Sequence, residues 1–446
     1  MTTPRVVDLH DADSLVAADA AALLPSCALA GAQVRSVAEQ LAAWPAVDRP
    51  RALVVVGATA SVDAALLSAL IGENSSCPVV AAAGLPGWIG PLDIVVVFAA
   101  AVDDMTAARA AAGASRRGAR VVVRASAVGP VAEAAGPALL EPLISVTEAL
   151  AGAARLTVLA SVAAAAGLYP RPDFAAAAEQ LDAMAMACHP SSEFFVNPGL
   201  TLAEQLAIGT PLLIGTDAVA DALAAYATRS LAGLAGIAGS WLSCGQAVGS
   251  PPVLARAAAR DGSGAATGSD IFWDPYNDDE PAPGQQISPV LVVGPSIDSV
   301  VGRLTNSGLL PDVEPVFGAP HPAPRSPLAA ALEAALPRAM CIGPEELPSP
   351  DRDVAANEPG RDSTGLRQRD AFTWTVAMMC RIDFAAVYVG LLTAARLPVD
   401  SPDGLGRPGR AAAHRPGAGD RGPVAGVQLS TRSSMAEDDE ESGSWS

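Results

Sequence analysis

The stretch Ala52-Leu53-Val54-Val55-Val56-Gly57-Ala58-Thr59-Ala60-Ser61 decides the fold of this chain. Five apolar, mostly β-branched residues run without a polar break, and a glycine stops them. A strand with one wet face would alternate; an unbroken run reads as a strand buried on both faces, the habit of parallel sheets. Residues 60–71 then follow a helical pattern, and a parallel neighbour needs such a crossover. The unit repeats. Pro78-Val79-Val80-Ala81-Ala82 is a second strand, and Asp93-Ile94-Val95-Val96-Val97-Phe98 a third, with a helix through Arg116. Gly118-Ala119-Arg120-Val121-Val122-Val123 is a fourth. Strands alternating with helices define a doubly wound parallel sheet over residues 50–127.

Outward from that unit, residues 12–44 carry an Ala/Leu helical pattern. Residues 137–181 read as helical with no Val-rich strand. The strand–glycine signature returns at Pro211-Leu212-Leu213-Ile214-Gly215, followed by a long helix over 219–242. Residues 290–293 and 313–317 are candidate later strands. Between the second-half elements lies a polar insert, 261–286, holding Phe272, Trp273 and Tyr276. Residues 327–336 and 366–396 read as closing helices; on the latter, Phe384, Val387, Tyr388 and Leu391 share one face. The expected fold is α/β: two doubly wound parallel-sheet lobes joined by helices. The expected divisions are an N-terminal helical segment 1–45, a first lobe 46–137, a helical connection 138–205, a second lobe 206–400 and a tail 401–446. The tail is Gly/Pro/Arg-rich and then acidic, a composition that cannot bury a core, so it reads as disordered.

Composition narrows the partners. The 446 residues are 50% hydrophobic, with 28 basic against 47 acidic side chains, a net charge of −19. Every basic residue is arginine, so arginine usage is no sign of phosphate recognition. An acidic chain repels nucleic acid and anionic lipid, and neither is expected as a partner. Residues 149–169 are apolar apart from Arg155 and long enough to span a bilayer, for which about 20 residues suffice. With Glu141 and Glu148 on the approach, they read as a buried helix. Met1 to Asp11 lacks a basic segment followed by an apolar run, so no signal peptide is expected. Cys27, Cys77, Cys188, Cys244, Cys341 and Cys380 form no C-x-x-C pair, and reduced thiols in a cytoplasmic protein are the expectation. No metal and no cofactor are expected.

Four places resemble the sugar isomerase (SIS) family, in particular the bifunctional phosphoglucose/phosphomannose isomerases. The turn Val55-Val56-Gly57-Ala58-Thr59-Ala60-Ser61 is similar to the family's strand, G-x-G-G-S and helix. Leu92-Asp93-Ile94-Val95-Val96-Val97 resembles its strand after an aspartate, and Arg117-Gly118-Ala119-Arg120-Val121-Val122-Val123 its R-G-A strand. Asp383-Phe384-Ala385-Ala386-Val387-Tyr388-Val389-Gly390 is similar to its C-terminal D-[FY]-x-S-V-Y-L-[AG] helix. The likeness covers residues 15 to 400. It implies a sugar-phosphate ligand, and a homodimer stays open.

The resemblance implies ligand contacts at Gly57, Thr59, Ser61, Thr106 and Ser126 in the first half and at Gly215 and Thr216 in the second. Read from the residues alone, the Gly57 turn serves equally as an anion-binding turn or as a helix cap, whereas Gly215, Thr216 and Asp217 read first as a helix cap. A dinucleotide fingerprint is missing after Gly57. The family's hydroxyl-rich phosphate loop reads Phe98-Ala99-Ala100-Ala101-Val102-Asp103-Asp104-Met105-Thr106 here. Alanines replace its hydroxyls, and Asp103 and Asp104 oppose a dianion at the helix start. Aldose–ketose isomerisation needs a base within reach of two carbons and an acid/base to open the ring. The segment 241–249, where the family carries them, has neither Glu nor His. His189 and Glu193, at the junction of the halves, are the candidate acid/base pair, or a surface loop with a helix cap. His321 between prolines is weaker still. The insert's aromatics with Asp270, Asp274 and Asp278 could stack on a sugar or anchor the insert. Two functions follow: a sugar-phosphate-binding SIS-type protein with weak or no isomerase activity, or an active hexose 6-phosphate isomerase with non-standard catalytic residues.

Overall fold

The computed structural model describes residues 7–258 except 74, residues 287–294, scattered positions from 332 to 348, and the helix 363–396 with its side chains from 371 to 394. The expected strand at 313–317, the insert, His321 and the tail lie outside the described residues. The described residues all fall within one compact unit, Met1–Leu397.

Three short helices open the chain: α1 (Ala12–Ala18), α2 (Leu23–Ala28) and α3 (Ala30–Gln40). The single helical pattern breaks because the Asp19 carboxylate accepts from Leu23 N–H (2.9 Å) and Leu24 N–H (2.8 Å), starting a new helix there. The first sheet contains β1 (Ala52–Val56), β2 (Val79–Ala82), β3 (Asp93–Phe98), β4 (Arg120–Arg124) and β5 (Leu139–Leu140). Its order is β2-β1-β3-β4-β5, all parallel. Helices α4 (Ala60–Ile71), α5 (Met105–Arg116) and α6 (Pro130–Ala135) supply crossovers. β5 is a departure from the sequence reading: two leucines pair with Val123 and Arg124, too short a run to stand out.

Helices α7 (Gly152–Ala165), α8 (Phe174–Ala187) and α9 (Pro198–Ala207) join the sheets. As expected for 149–169, α7 is a buried helix. The second sheet contains β6 (Thr210–Gly215), β7 (Ser240–Ser243), β8 (Ile287–Val292) and β9 (Met340–Ile342), parallel in the order β7-β6-β8-β9. The helix expected over 219–242 is shorter. α10 (Ala218–Ser230) passes into a π-helical turn, Leu231–Ala235, and Gly236 takes a left-handed φ of 66°. The glycines at 233, 236 and 239 remove the helix's hold, and 240–243 becomes the edge strand β7 instead. Small helices α11 (Cys244–Val248) and α12 (Pro251–Ala258) follow.

The central core explains why both sheets read as apolar runs. Leu53, Val55, Ile94, Val96, Leu213, Val290 and Val292 all face one hydrophobic cluster. The opposite face of the first sheet (Val54, Val56, Val95, Val97) packs on α5 alanines, and that of the second (Leu212, Ile214, Leu291) packs on Cys244 and Leu336. The last helix, α13 (Ser363–Arg396), belongs to the central cluster. Phe384, Val387 and Tyr388 are 2% exposed or less, and the Tyr388 hydroxyl donates to Cys188 O at 2.6 Å. Burial is not confined to one face, as the periodicity suggested: Val376, Met378, Ile382 and Val389 are buried too. Residues 371–394 are long and apolar enough to cross a membrane, but nearly all of this stretch is buried inside the protein. No disulfide joins the cysteines, and five of the six are buried.

Candidate functional site

Sheet order locates the candidate ligand crevice. In open α/β sheets ligands bind at the carboxyl ends of strands where the order reverses, and the order β2-β1-β3 puts that point between β1 and β3. The turns after β1 and β3 therefore flank the crevice.

The turn after β1 is built for packing. Gly57 has φ 150°, and a Cβ there would lie 2.6 Å from Phe98 O, so only glycine lets the two strand ends close together. Thr59 is 3% exposed and turns inward, where its hydroxyl donates to Asp63 Oδ2. It does not cap α4 with its side chain. Ser61 is exposed, on the rim of a groove of about 900 Å³ between α4 and α10 that also includes Asp221 and Trp241.

The turn after β3 already holds an anion. Asp104 Oδ1 accepts from Thr106 N–H (3.1 Å) and Ala107 N–H (2.9 Å), and Oδ2 accepts from Ala100 N–H (3.2 Å). Those backbone donors at the start of α5 are the ones a phosphate would take. Thr106 is exposed, with its N–H committed to Asp104. Ser126 is half-buried beyond β4. Asp93 serves the opposite end of the strand, where its fully buried carboxylate binds Arg51 and Gly90 N–H at the start of β3.

Beneath the crevice lies a row of buried charges that the sequence reading did not assemble. Arg155, 1% exposed, donates through Nε to Asp63 (3.0 and 3.2 Å) and through Nη1 to Glu148 Oε1 (2.7 Å). Glu148 Oε2 lies 3.8 Å from Nη1 of Arg124, the last residue of β4. Beside the row, Asp383 of α13 lies between Tyr226 and Ser230 of α10. Tyr226 Oη is 2.8 and 2.9 Å from its carboxylate oxygens, and the Ser230 hydroxyl donates at 2.9 Å. Burial pushes the Asp383 carboxyl up to about 7, against the pull of those hydrogen bonds and of Arg155. The available signal was charge inside apolar sequence: Arg124 ends a valine run and Arg155 interrupts an alanine-rich one. Such charges persist only when paired.

In the second half, Gly215 has Asp221 against it: a Cβ would lie 2.3 Å from Asp221 Oδ1. Thr216 ties strand ends together, donating its N–H to Val292 O (3.0 Å) and accepting from Gly294 N–H (3.2 Å). Asp217 caps α10 by accepting from Ala220 N–H at 2.9 Å. Burial first, and Asp217 second, push the Asp221 carboxyl up to about 7. His189 and Glu193 are both exposed, and no hydrogen bond or ion pair joins them. His189 Nδ1 is 2.7 Å from Ser191 Oγ, and the Glu193 carbonyl accepts from Asn197 N–H at 3.0 Å. Among the described residues no group of His, Cys, Asp and Glu could hold a metal ion.

No protein-family model matches the chain, and no characterised protein matches its sequence. Solved structures do match in fold. A hypothetical protein from Thermus thermophilus is 11% identical over 85% of this chain and 88% of its own, at TM-score 0.52. The C-terminal domain of glucosamine-fructose-6-phosphate aminotransferase from Francisella tularensis is 8% identical over 83% and 96%, at 0.46. Glucosamine-6-phosphate deaminase from Thermotoga maritima is 11% identical over 82% and 94%, at 0.44. The fold, shared with the Thermus thermophilus protein, is thus the α/β architecture with two parallel sheets that the sequence reading expected. Fold alone does not select the bifunctional phosphoglucose/phosphomannose subtype within it.

Proposed function

We propose that this chain is a SIS-type protein of carbohydrate metabolism that binds a phosphorylated sugar and has little or no isomerase turnover. One observation carries the reading: beside the crevice between β1 and β3, Asp104 occupies the backbone donors that a phosphate would take. The missing acid/base supports it. His189 and Glu193 are separate surface groups, and the segment 241–249 forms an edge strand and the capping box of α11 between Ser243 and Gln246. General acid/base groups supply roughly 10²–10⁴-fold in rate, and positioning supplies more. We read the protein as cytoplasmic, with a small-molecule partner rather than nucleic acid or membrane. The test is binding of fructose 6-phosphate and mannose 6-phosphate by calorimetry, beside a coupled isomerase assay at high enzyme concentration. Binding without turnover is expected. Robust turnover would establish the active isomerase instead, and no sugar-phosphate binding would remove the ligand reading altogether.

A further inference from the structure

Four charges in the row beneath the crevice are unevenly shared. Arg155 takes both oxygens of Asp63 through Nε and the nearer oxygen of Glu148 through Nη1. Arg124 receives what is left, a Glu148 oxygen at 3.8 Å, longer than a hydrogen bond. Arg124 is only 7% exposed, and its Nε has no hydrogen-bond partner among the described residues. A guanidinium offers five N–H donors in a fixed fork, and burying one without an acceptor is costly. Loss of hydration is the chief influence on this group and pulls its pKa down, so Glu148 compensates it only in part.

Position gives the under-paired cation a use. Arg124 closes β4 at the carboxyl end of the first sheet, and its carbonyl accepts from Ala99 N–H at 3.2 Å, at the base of the turn after β3. Glu148 is 30% exposed, so the side chain nearest the guanidinium reaches solvent, and moving aside would cost it its 2.7 Å bond to Arg155 Nη1. The loop that holds phosphate in the family is filled by Asp104, and no other buried arginine at this edge lacks a close acceptor among the described residues.

We propose that Arg124 is the oxyanion-binding group of the first-sheet crevice, its fork taking a phosphate monoester or free phosphate as Glu148 moves aside. Arginine suits this role because its fork matches two phosphate oxygens at once. The proposal rests on reading this crevice as the ligand site, and it moves the anion's anchor from the turn after β3 to the end of β4.

Calorimetry on the full chain tests it with three probes: inorganic phosphate, fructose 6-phosphate and fructose. Both phosphates are expected to bind and fructose not to. Arg124→Gln is expected to weaken both at least tenfold. Glu148→Gln, which removes the competing carboxylate, is expected to tighten both several-fold. Should Arg124→Gln not fold, Arg124→Lys, which keeps the charge and loses the fork, carries the same arm with an expected weakening of several-fold. Phosphate affinity that ignores the substitutions at both 124 and 148, or no phosphate binding at all, overturns the proposal. The two readings fail differently. Fructose 6-phosphate binding that persists in the Arg124 variants leaves the sugar-phosphate reading intact and removes Arg124. Arg124-dependent binding in which the sugar phosphate is no better than phosphate keeps Arg124 and removes the sugar.

Discussion

Replacing Asp383 by asparagine isolates the effect of one buried carboxyl on stability. The carboxyl is 7% exposed at the residue level and has the Tyr226 and Ser230 hydroxyls, the thiols of Cys27 and Cys380, and Arg155 around it. Its pKa stands at about 7 in the folded protein against an ordinary 3.8. The folded state therefore holds this proton more tightly than the unfolded chain does. The contribution is complete below pH 3.8, where both states are protonated, and is lost as pH rises through about 7. Two decades of proton activity separate pH 5 from pH 7, and each is worth about 1.4 kcal/mol, so roughly 3 kcal/mol disappears between pH 5 and pH 8. The substituted asparagine would still accept from Tyr226 and has nothing to ionise. The assay is urea unfolding of the protein and of Asp383→Asn at pH 5, 6, 7 and 8. Other carboxyls, Asp221 among them, contribute equally to both proteins and cancel in the difference. The wild type should lose roughly 3 kcal/mol relative to the variant across that range. Parallel curves would show that Asp383 is ionised throughout and that Arg155 outweighs burial.

Asp104→Ser combined with Ala100→Ser frees the backbone donors of the α5 start and should raise inorganic phosphate affinity at least several-fold by calorimetry; unchanged affinity would mean that Asp104 caps the helix without blocking a cradle. Arg155→Met strands Asp63 and Glu148 without their shared cation, and removal of one partner from a buried pair costs about 3–5 kcal/mol. Chemical denaturation should show that loss, and a loss under about 1 kcal/mol would mean water reaches the row. Gly57→Ala places a methyl 2.6 Å from Phe98 O at a φ of 150°, so a drop of several degrees in thermal midpoint is expected. An unchanged midpoint would show that the turn after β1 relaxes freely.

What the sequence revealed depended on how locally each feature is specified. β1, β3, β6 and β8 are each sandwiched between two packed layers, so their apolar runs were unbroken and legible. β5 has two residues, and β7 reads Ser240-Trp241-Leu242-Ser243, an edge strand with Trp241 42% exposed, so neither had a run to display. That Ala99 to Ala101 stand where the resembled family carries hydroxyls was plain in the sequence, and the structure adds that Asp104 accepts from the backbone donors there. Thr59 and Thr216 looked like ligand contacts because a hydroxyl after a strand can face out or in. Only the fold shows Thr59 turned to Asp63 and Thr216 to Gly294. The charge row joins residues 63, 124, 148 and 155, and Asp383 sits beside it from 157 positions beyond Tyr226. No local pattern encodes such pairings.

The last helix gives the chain an order of events during synthesis. α13 fills the space between α8, α9 and α10, and Arg381 donates to Pro198 O at 3.0 Å. Every partner it covers leaves the ribosome earlier. At about 5–20 residues per second, the apolar faces of those helices wait many seconds for residues 363–396 to emerge. The faces of α8, α9 and α10 that it covers cannot be buried until then. A ribosome stalled before residue 363 would hold a product with two formed sheets and an open seam between them.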